Sequence, residues 1–315
     1  MEQPEVGVVI PAYHMEDFVG AAIASVLSQD VAVQLVVVDD ASPDATELRA
    51  RAAIDGVATA AVVANDRLKG VCGARNAGLQ RLRTPWVLFL DADDLLLPGA
   101  LAALLMARRT GCSAVLGAFC TVDEQGSPMD GSWAGQQAEG FRRLGEPQVL
   151  TASQLARVNV MPPPGGQLLS VDALRAVGGF DEGPLAQGWS EDAELLARLA
   201  AVGQISRCEA EVLAYRQRGG SLSTRPGWRR QVARSRRITV RRARRRDRPG
   251  LGLAFAARYG GLGAARVVEG LRRGRPKMLA NGLANLALAA SFLLLGVTYL
   301  AWPSWRPTWS LEAGR

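Results

Sequence analysis

Val87-Leu88-Phe89-Leu90-Asp91-Ala92-Asp93-Asp94 decides the fold. Four consecutive apolar residues read as a strand buried on both faces, as in a parallel sheet. Three carboxylates follow where that strand ends, and open α/β sheets bind ligands at the carboxyl ends of their strands. Crowding these acids costs like-charge repulsion, so something must compensate. A divalent cation bridging two phosphates would do so. Oxygen-only ligands suit Mg²⁺ or Mn²⁺, and Mg²⁺ commonly takes one or two carboxylates plus phosphate oxygens. The other reading is a loop whose acids cap the next helix. It suits Asp94, since a helix is expected from Pro98.

Upstream the same pattern recurs. Val6-Gly7-Val8-Val9-Ile10 reads as the first strand, and Pro11 ends it because proline cannot donate to a central ladder. Pro11-Ala12-Tyr13-His14 is then a loop at a strand's carboxyl end. A helix is expected over 16–28, with Val19, Ile23, Val26 and Leu27 on one face. The second strand, 34–38, runs into Asp39-Asp40-Ala41-Ser42-Pro43-Asp44. A carboxylate there can accept hydrogen bonds from a base or ribose, or serve turn and capping chemistry, which suits Asp44 better than Asp40. A third strand is expected over 57–63, and Gly73-Ala74-Arg75-Asn76-Ala77-Gly78-Leu79 starts another helix. An arginine near a helix start opposes the dipole preference, which invites an anionic ligand. The alternation predicts an α/β fold with a doubly wound, mostly parallel sheet flanked by helices. Beyond it, 101–109 reads as helix, 113–119 as strand, and the Gly-, Gln-, Ser- and Pro-rich stretch 121–148 as a long loop.

The 315 residues allow one large domain or two smaller ones, and an apolar fraction of 48% is ample for a core. The net charge of +7 is an average of unlike parts. Residues 225–248 hold twelve Arg and one Asp, a local balance of +11 that leaves the remainder at −4. The four cysteines, Cys72, Cys112, Cys120 and Cys208, form no CxxC pair and fit reduced thiols better than a disulfide framework or zinc site. The N-terminus lacks the basic-then-apolar pattern of a signal peptide, and a basic flank ahead of the apolar C-terminal segment leaves the catalytic body expected in the cytoplasm by the positive-inside rule. Residues 283–302 then run for twenty positions with no charge and one amide, Asn285, the length a bilayer core requires. Tyr299, Trp302, Trp305 and Trp309 cluster at its end like an interfacial aromatic belt, and the basic flank precedes it. The expected layout is a catalytic domain over 1–224, an arginine-rich helical segment over 225–280 and a membrane-associating tail over 281–315. The tail either spans the membrane or lies on its cytoplasmic face.

Taken together, Val9-Ile10-Pro11-Ala12-Tyr13, Val38-Asp39-Asp40-Ala41-Ser42, Ala74-Arg75-Asn76 and Leu90-Asp91-Ala92-Asp93-Asp94 resemble the family 2 glycosyltransferases of the GT-A fold. So do Gly178-Gly179-Phe180-Asp181-Glu182 with Trp189-Ser190-Glu191-Asp192-Ala193-Glu194-Leu195, and Tyr215-Arg216-Gln217-Arg218-Gly219-Gly220-Ser221-Leu222-Ser223. Six motifs in the family's order cover about residues 5 to 224; each alone is weak. The resemblance implies an inverting transfer of a sugar from a nucleotide-sugar, most often a UDP-sugar, to an acceptor hydroxyl. A membrane tail points to a cell-envelope or lipid-linked glycan as acceptor. It further implies Pro11 and Tyr13 at the nucleobase, Tyr13 by stacking, and Asp40 bonded to the base. Arg75 would meet the base or phosphates, Asp91 the ribose side, Asp93 a Mg²⁺ or Mn²⁺ on the diphosphate, and Asp192 would be the general base. One departure stands out. The family's closing motif usually has histidine where this chain has Arg218, a permanent cation and a poor metal ligand, able to neutralise a departing diphosphate.

Two other classes are weighed. A sugar-phosphate nucleotidyltransferase shares the architecture but typically opens with a glycine-rich phosphate loop after the first strand, and Pro11-Ala12-Tyr13-His14 offers none. A non-catalytic module could use the arginine run to bind nucleic acid or lipid. That run has little aromatic interleaving beyond Trp228 and lies beside an apolar segment, which favours lipid headgroups, so no nucleic-acid partner is expected.

Overall fold

The computed structural model describes residues 3–129, 133–142, 149–150, 161–183, 191–219, 236–240 and 276–301, with residues 256, 264, 267–269 and 271–272 between them. The chain divides into two compact units, Met1–Thr151 with Val160–Ser235, and Ala152–Asn159 with Arg236–Arg315.

In the first unit, β1 (Val6–Ala12), β2 (Val33–Asp39), β3 (Ala60–Ala64) and β4 (Trp86–Phe89) are joined through helices α1 (Val19–Leu27), α2 (Thr46–Ala53) and α3 (Val71–Arg81). These strands lie side by side in the order β3-β2-β1-β4, all parallel, as the strand–helix alternation predicts. Their apolar runs are buried because helices cover them: Val6, Val8, Val9 and Ile10 are all fully buried, and so are Val37, Val38, Leu88 and Leu90. The third strand starts at Ala60 rather than Val57, because Val57 closes the turn after α2 by donating to Ile54 O.

Beyond β4 the sheet becomes mixed. After β5 (Leu95–Leu96), α4 (Ala100–Met106) and β6 (Cys112–Val122) come α5 (Trp133–Arg142), β7 (Val149–Leu150), β8 (Gln167–Ser170), α6 (Val171–Val177), α7 (Glu191–Leu199) and β9 (Gln204–Arg216). β8 is antiparallel to β4 and to β6, while the long β9 is parallel to β6 and antiparallel to β5 and β7. The segment read as a long loop, 121–148, is only partly one. The chain reverses after β6 through a turn in which Met129 donates back to Thr121 O, and α5 follows. Composition hid that helix: its polar residues face outward, while Ala134, Ala138 and Phe141, at helical spacing, are buried.

In the second unit, α8 (Pro276–Ala301) is 26 residues long. Its exposed leucines, Leu283, Leu286, Leu293 and Leu294, share one face, opposite the buried Asn285 and Phe292. Among the described residues no helix is long and apolar enough to cross a membrane. Trp302, Trp305 and Trp309, and the arginine run outside 236–240, lie beyond the described residues.

Candidate active site

The parallel strands β1, β2 and β4 end on one edge of the sheet. Ala12 pairs with Asp39 at the ends of β1 and β2, and Leu90, just past β4, donates to Val9 O. Pro11, Ala12, Asp39 and Asp40 therefore gather on the same edge as Asp91. The loops beyond are stitched together: His14 N donates to Ser42 Oγ, Met15 N to Thr46 Oγ1, and Ser42 N to Asp39 Oδ2. Tyr13 stands out from this edge, 45% exposed, with Lys69 Nζ 4.8 Å from its ring centroid. Asp40 is buried and accepts from Asn65 Nδ2 at 2.6 Å and from Gly70 N at 2.8 Å. It thus holds the loop that carries Lys69, a residue the sequence reading assigned no part. Asp39 Oδ1 is buried and, among the described residues, has no hydrogen-bond partner.

Arg75 lies beneath this edge. α3 can seat it there because Gly78 lets the helix approach the sheet closely: a Cβ at that position would lie 2.3 Å from Val9 Cγ1. The guanidinium is fully enclosed, donating to Asp91 Oδ1 at 2.7 Å and to Glu191 Oε1 at 2.6 Å, with the Phe180 ring 5.1 Å away. Burial works against its charge, but Asp91 and Glu191 outweigh it and hold it protonated. The structure accounts for an arginine near a helix start through these two carboxylates. Neither pairing can be read from the sequence.

The other two acids of the cluster also meet arginines. Arg218 Nε donates to Asp93 Oδ2 at 2.6 Å, and Arg216 Nε to Asp93 O at 2.7 Å. Arg216 and Arg218, two residues apart, both lie over the Phe18 ring, at 5.5 and 5.4 Å. Asp94 does not cap the following helix, the alternative that suited it in the sequence. It is 1% exposed and accepts from Arg216 N at 2.8 Å, and the residue preceding α4 is Gly99. Burial pushes the Asp94 carboxyl well above the ordinary carboxylate range, and the charges of Asp93 and Asp91 push the same way. Burial also raises Asp91, against the pull of Arg75. Among the described residues, no group of three or more His, Cys, Asp or Glu side chains is arranged to hold a metal ion.

Glu191 and Asp192 open α7, and the fold separates two acids that helix spacing could not. Glu191 is buried on Arg75, whereas Asp192 is half-buried and, among the described residues, pairs with no arginine. Its Oδ1 accepts from the neighbouring Ala193 N at 2.7 Å. Burial first, then the adjacent Glu191 charge, raise the Asp192 carboxyl to about 7. Trp189 and Ser190, and Gly220 to Ser223 of the closing motif, lie outside the described residues.

Asn76 holds the turn before α7 onto α3. Its Nδ2 donates to Phe180 O at 2.9 Å and to Glu182 Oε1 at 2.7 Å, while its Oδ1 accepts from Phe180 N at 2.9 Å. Gly179 makes this possible, with φ +69° and no room for a Cβ, which would lie 2.6 Å from Asn76 Oδ1. Phe180 is thereby seated edge-on against Phe89, centroids 4.9 Å apart, under Arg75. The structure thus joins Asp91, Arg75, Glu191 and Asp192 into one chain of charges and puts the Asp93–Arg218 pair beside it. Tyr13 and Asp40 stand on the neighbouring loops.

The family described as Glycosyl transferase family 2 matches residues 7–177. The Succinoglycan biosynthesis protein ExoO of Rhizobium meliloti (strain 1021) is 41% identical over 103 residues, 32% of this chain and 29% of that protein. The UDP-Glc:alpha-D-GlcNAc-diphosphoundecaprenol beta-1,3-glucosyltransferase WfgD of Escherichia coli is 34% identical over 96 residues, 30% of this chain and 37% of that protein. The chain therefore spans about a third of the length of these curated relatives. Among solved structures, the mannosyltransferase PcManGT from Pyrobaculum calidifontis, in complex with GDP-Man and Mn²⁺, superposes with a TM-score of 0.59 at 17% identity, covering 93% of this chain and 88% of that one. That likeness shows a shared fold.

Proposed function

The chain belongs to glycosyl transferase family 2 and has the GT-A fold; from that premise we propose that it moves a sugar from a nucleotide-sugar, a UDP-sugar, to a hydroxyl of a lipid-linked or other cell-envelope glycan. The observation that carries the reading is Asp192, a half-buried carboxyl raised to about 7 at the end of the chain of charges from Asp91. A general base works best when its pKa lies near the working pH. Asp192 takes the proton of the acceptor hydroxyl as that oxygen attacks the anomeric carbon. The bond from that carbon to the diphosphate breaks on the opposite face, so the configuration inverts. Asp91, held by Arg75, lies on the ribose side; Pro11 and the exposed ring of Tyr13 receive the base, and Asp40 borders it. Arg75 acts from beneath, ordering Asp91 and Glu191. Relatives named for UDP-Glc and diphosphoundecaprenol support the donor and the lipid-linked acceptor.

The metal implied by the family does not fit these residues. Asp93 is already bonded to a guanidinium, and the position where the family carries an imidazole is that same arginine, which has no lone pair to offer. The family match over residues 7–177 favours sugar transfer over nucleotidyl transfer. The proposed place of work is the cytoplasmic face of a membrane, supported by the arginine run 225–248 and the leucine stripe of α8.

The test is a donor screen that measures nucleoside diphosphate released from UDP- and GDP-sugars in the presence of lipid-linked glycan acceptors. Acceptor-dependent release that Asp192→Asn suppresses is expected. A chain that neither binds nor turns over any nucleotide-sugar has another function.

A further inference from the structure

The sequence sets a problem that the tertiary structure answers from within. Asp91, Asp93 and Asp94 stand at the end of one strand and require compensating positive charge. Two are met by guanidinium groups of the same chain, Asp91 by Arg75 at 2.7 Å and Asp93 by Arg218 at 2.6 Å, while the buried Asp94 accepts only the Arg216 backbone N–H at 2.8 Å. The Asp93–Arg218 pair is partly buried, with side chains 17% and 18% exposed. Arg218 is also held from other sides. Its Nη2 lies 3.2 Å from Met15 Sδ, and its guanidinium lies 5.4 Å from the Phe18 ring centroid. Arg216 Nε meanwhile pins the backbone oxygen of Asp93 at 2.7 Å. A divalent ion taking up Asp93 would have to displace a cation seated by a carboxylate, a thioether and an aromatic face, or sit beside it against like-charge repulsion. A guanidinium stays charged at any working pH and presents several donors in a plane that matches phosphate oxygens.

We propose that Arg218 stands in for the divalent cation, so that this protein binds a nucleoside diphosphate without metal and neutralises its charge with a built-in guanidinium. The phosphate half of this inference rests on the donor-site reading above. The exclusion of metal from Asp93 does not.

Two measurements on the full chain separate the halves. The first is Mn²⁺ titration followed by electron paramagnetic resonance, without nucleotide, on the wild type and on Asp93→Asn. The two are expected to bind Mn²⁺ alike, and Mn²⁺ binding in the wild type that Asp93→Asn abolishes overturns the proposal. The second is calorimetric titration of UDP in EDTA and in Mn²⁺. The wild-type affinity is expected to be the same in both, and at least about tenfold weaker in Arg218→Ala, the loss of one charge-assisted contact. Wild-type UDP affinity that collapses in EDTA, or an Arg218→Ala chain of unchanged affinity, overturns it. A wild type that binds UDP in neither buffer removes the donor-site reading, and the Mn²⁺ comparison still decides whether Asp93 is open to metal.

Discussion

Arg75 and Glu191, 116 residues apart in sequence, meet at 2.6 Å in the interior of the first unit. This contact ties the first turn of α7 to the helix packed under β1, and so sets where the adjacent Asp192 can stand. Removing one partner of a buried pair leaves the other charge uncompensated, which typically costs about 3–5 kcal/mol. Arg75→Met is therefore expected to lower stability by about that amount in chemical denaturation, since it strands both Asp91 and Glu191. Adding Glu191→Gln should recover part of the loss. If the double variant is no more stable than Arg75→Met, the pair is not coupled as described.

As the proposed general base, Asp192 is expected to set the pH dependence of turnover. A base must be ionised to accept a proton, so turnover should rise with pH through an apparent pKa of about 7. Glu191→Gln removes the neighbouring negative charge and should move that limb to lower pH. Asp192→Asn keeps the size and should lower turnover by about 10²–10⁴-fold while UDP affinity persists. Rates for the three chains across pH check this, and near-wild-type turnover in Asp192→Asn would remove it from the mechanism. Stability follows the opposite sense. The folded state holds the Asp192 proton more tightly than the unfolded chain, so its contribution declines as pH rises from 3.8 to about 7.

Asp94 makes a separate prediction. Its carboxyl is buried, raised well above the ordinary range, and among the described residues Oδ2 has no hydrogen-bond partner. A raised folded pKa means that stability is fullest below the unfolded value and falls as pH climbs through the folded one. Asp94→Asn retains an oxygen for Arg216 N and carries no charge. It should match or exceed the wild type in stability at neutral pH and flatten the decline. Asp94→Ala leaves a buried N–H unpaired and should cost about 1–3 kcal/mol. Denaturant titrations at several pH values distinguish the outcomes.

The turn at Gly179 is a matter of backbone geometry. Gly179→Ala imposes a side chain at φ +69° and drives it toward Asn76 Oδ1. A loss of about 1–2 kcal/mol from the left-handed backbone alone is expected. Asn76→Ala should cost about 1–3 kcal/mol by leaving Phe180 N–H and C=O unpaired. Thermal denaturation of both variants tests the latch, and a neutral Asn76→Ala would show that the turn holds by itself.

The leucine stripe of α8 can be tested in the full chain. Leu286→Glu with Leu293→Glu places two charges on the exposed apolar face and should weaken binding to anionic vesicles in flotation. The same pair should leave circular dichroism unchanged, because both positions are exposed. Equal flotation of variant and wild type would remove α8 from the membrane contact.

Apolar runs and helical spacing are local properties, which is why strands β1, β2 and β4 could be located within a residue or two from the chain alone. The acids at their carboxyl ends are likewise legible, since a parallel sheet carries such ends to one edge. Helix α5 was hidden, because its buried face consists of Ala134, Ala138 and Phe141 in a segment whose composition is that of a loop. The partners of the charges were not legible at all. Arg75 could be read as a phosphate ligand and Asp94 as a helix cap from their neighbours in sequence. Only the closure of the chain brings Glu191 to Arg75, Arg216 to Asp94 and Arg218 to Asp93. A charge in a low-dielectric interior must be matched by whatever the fold packs beside it, and residues more than a hundred positions away supply that match here.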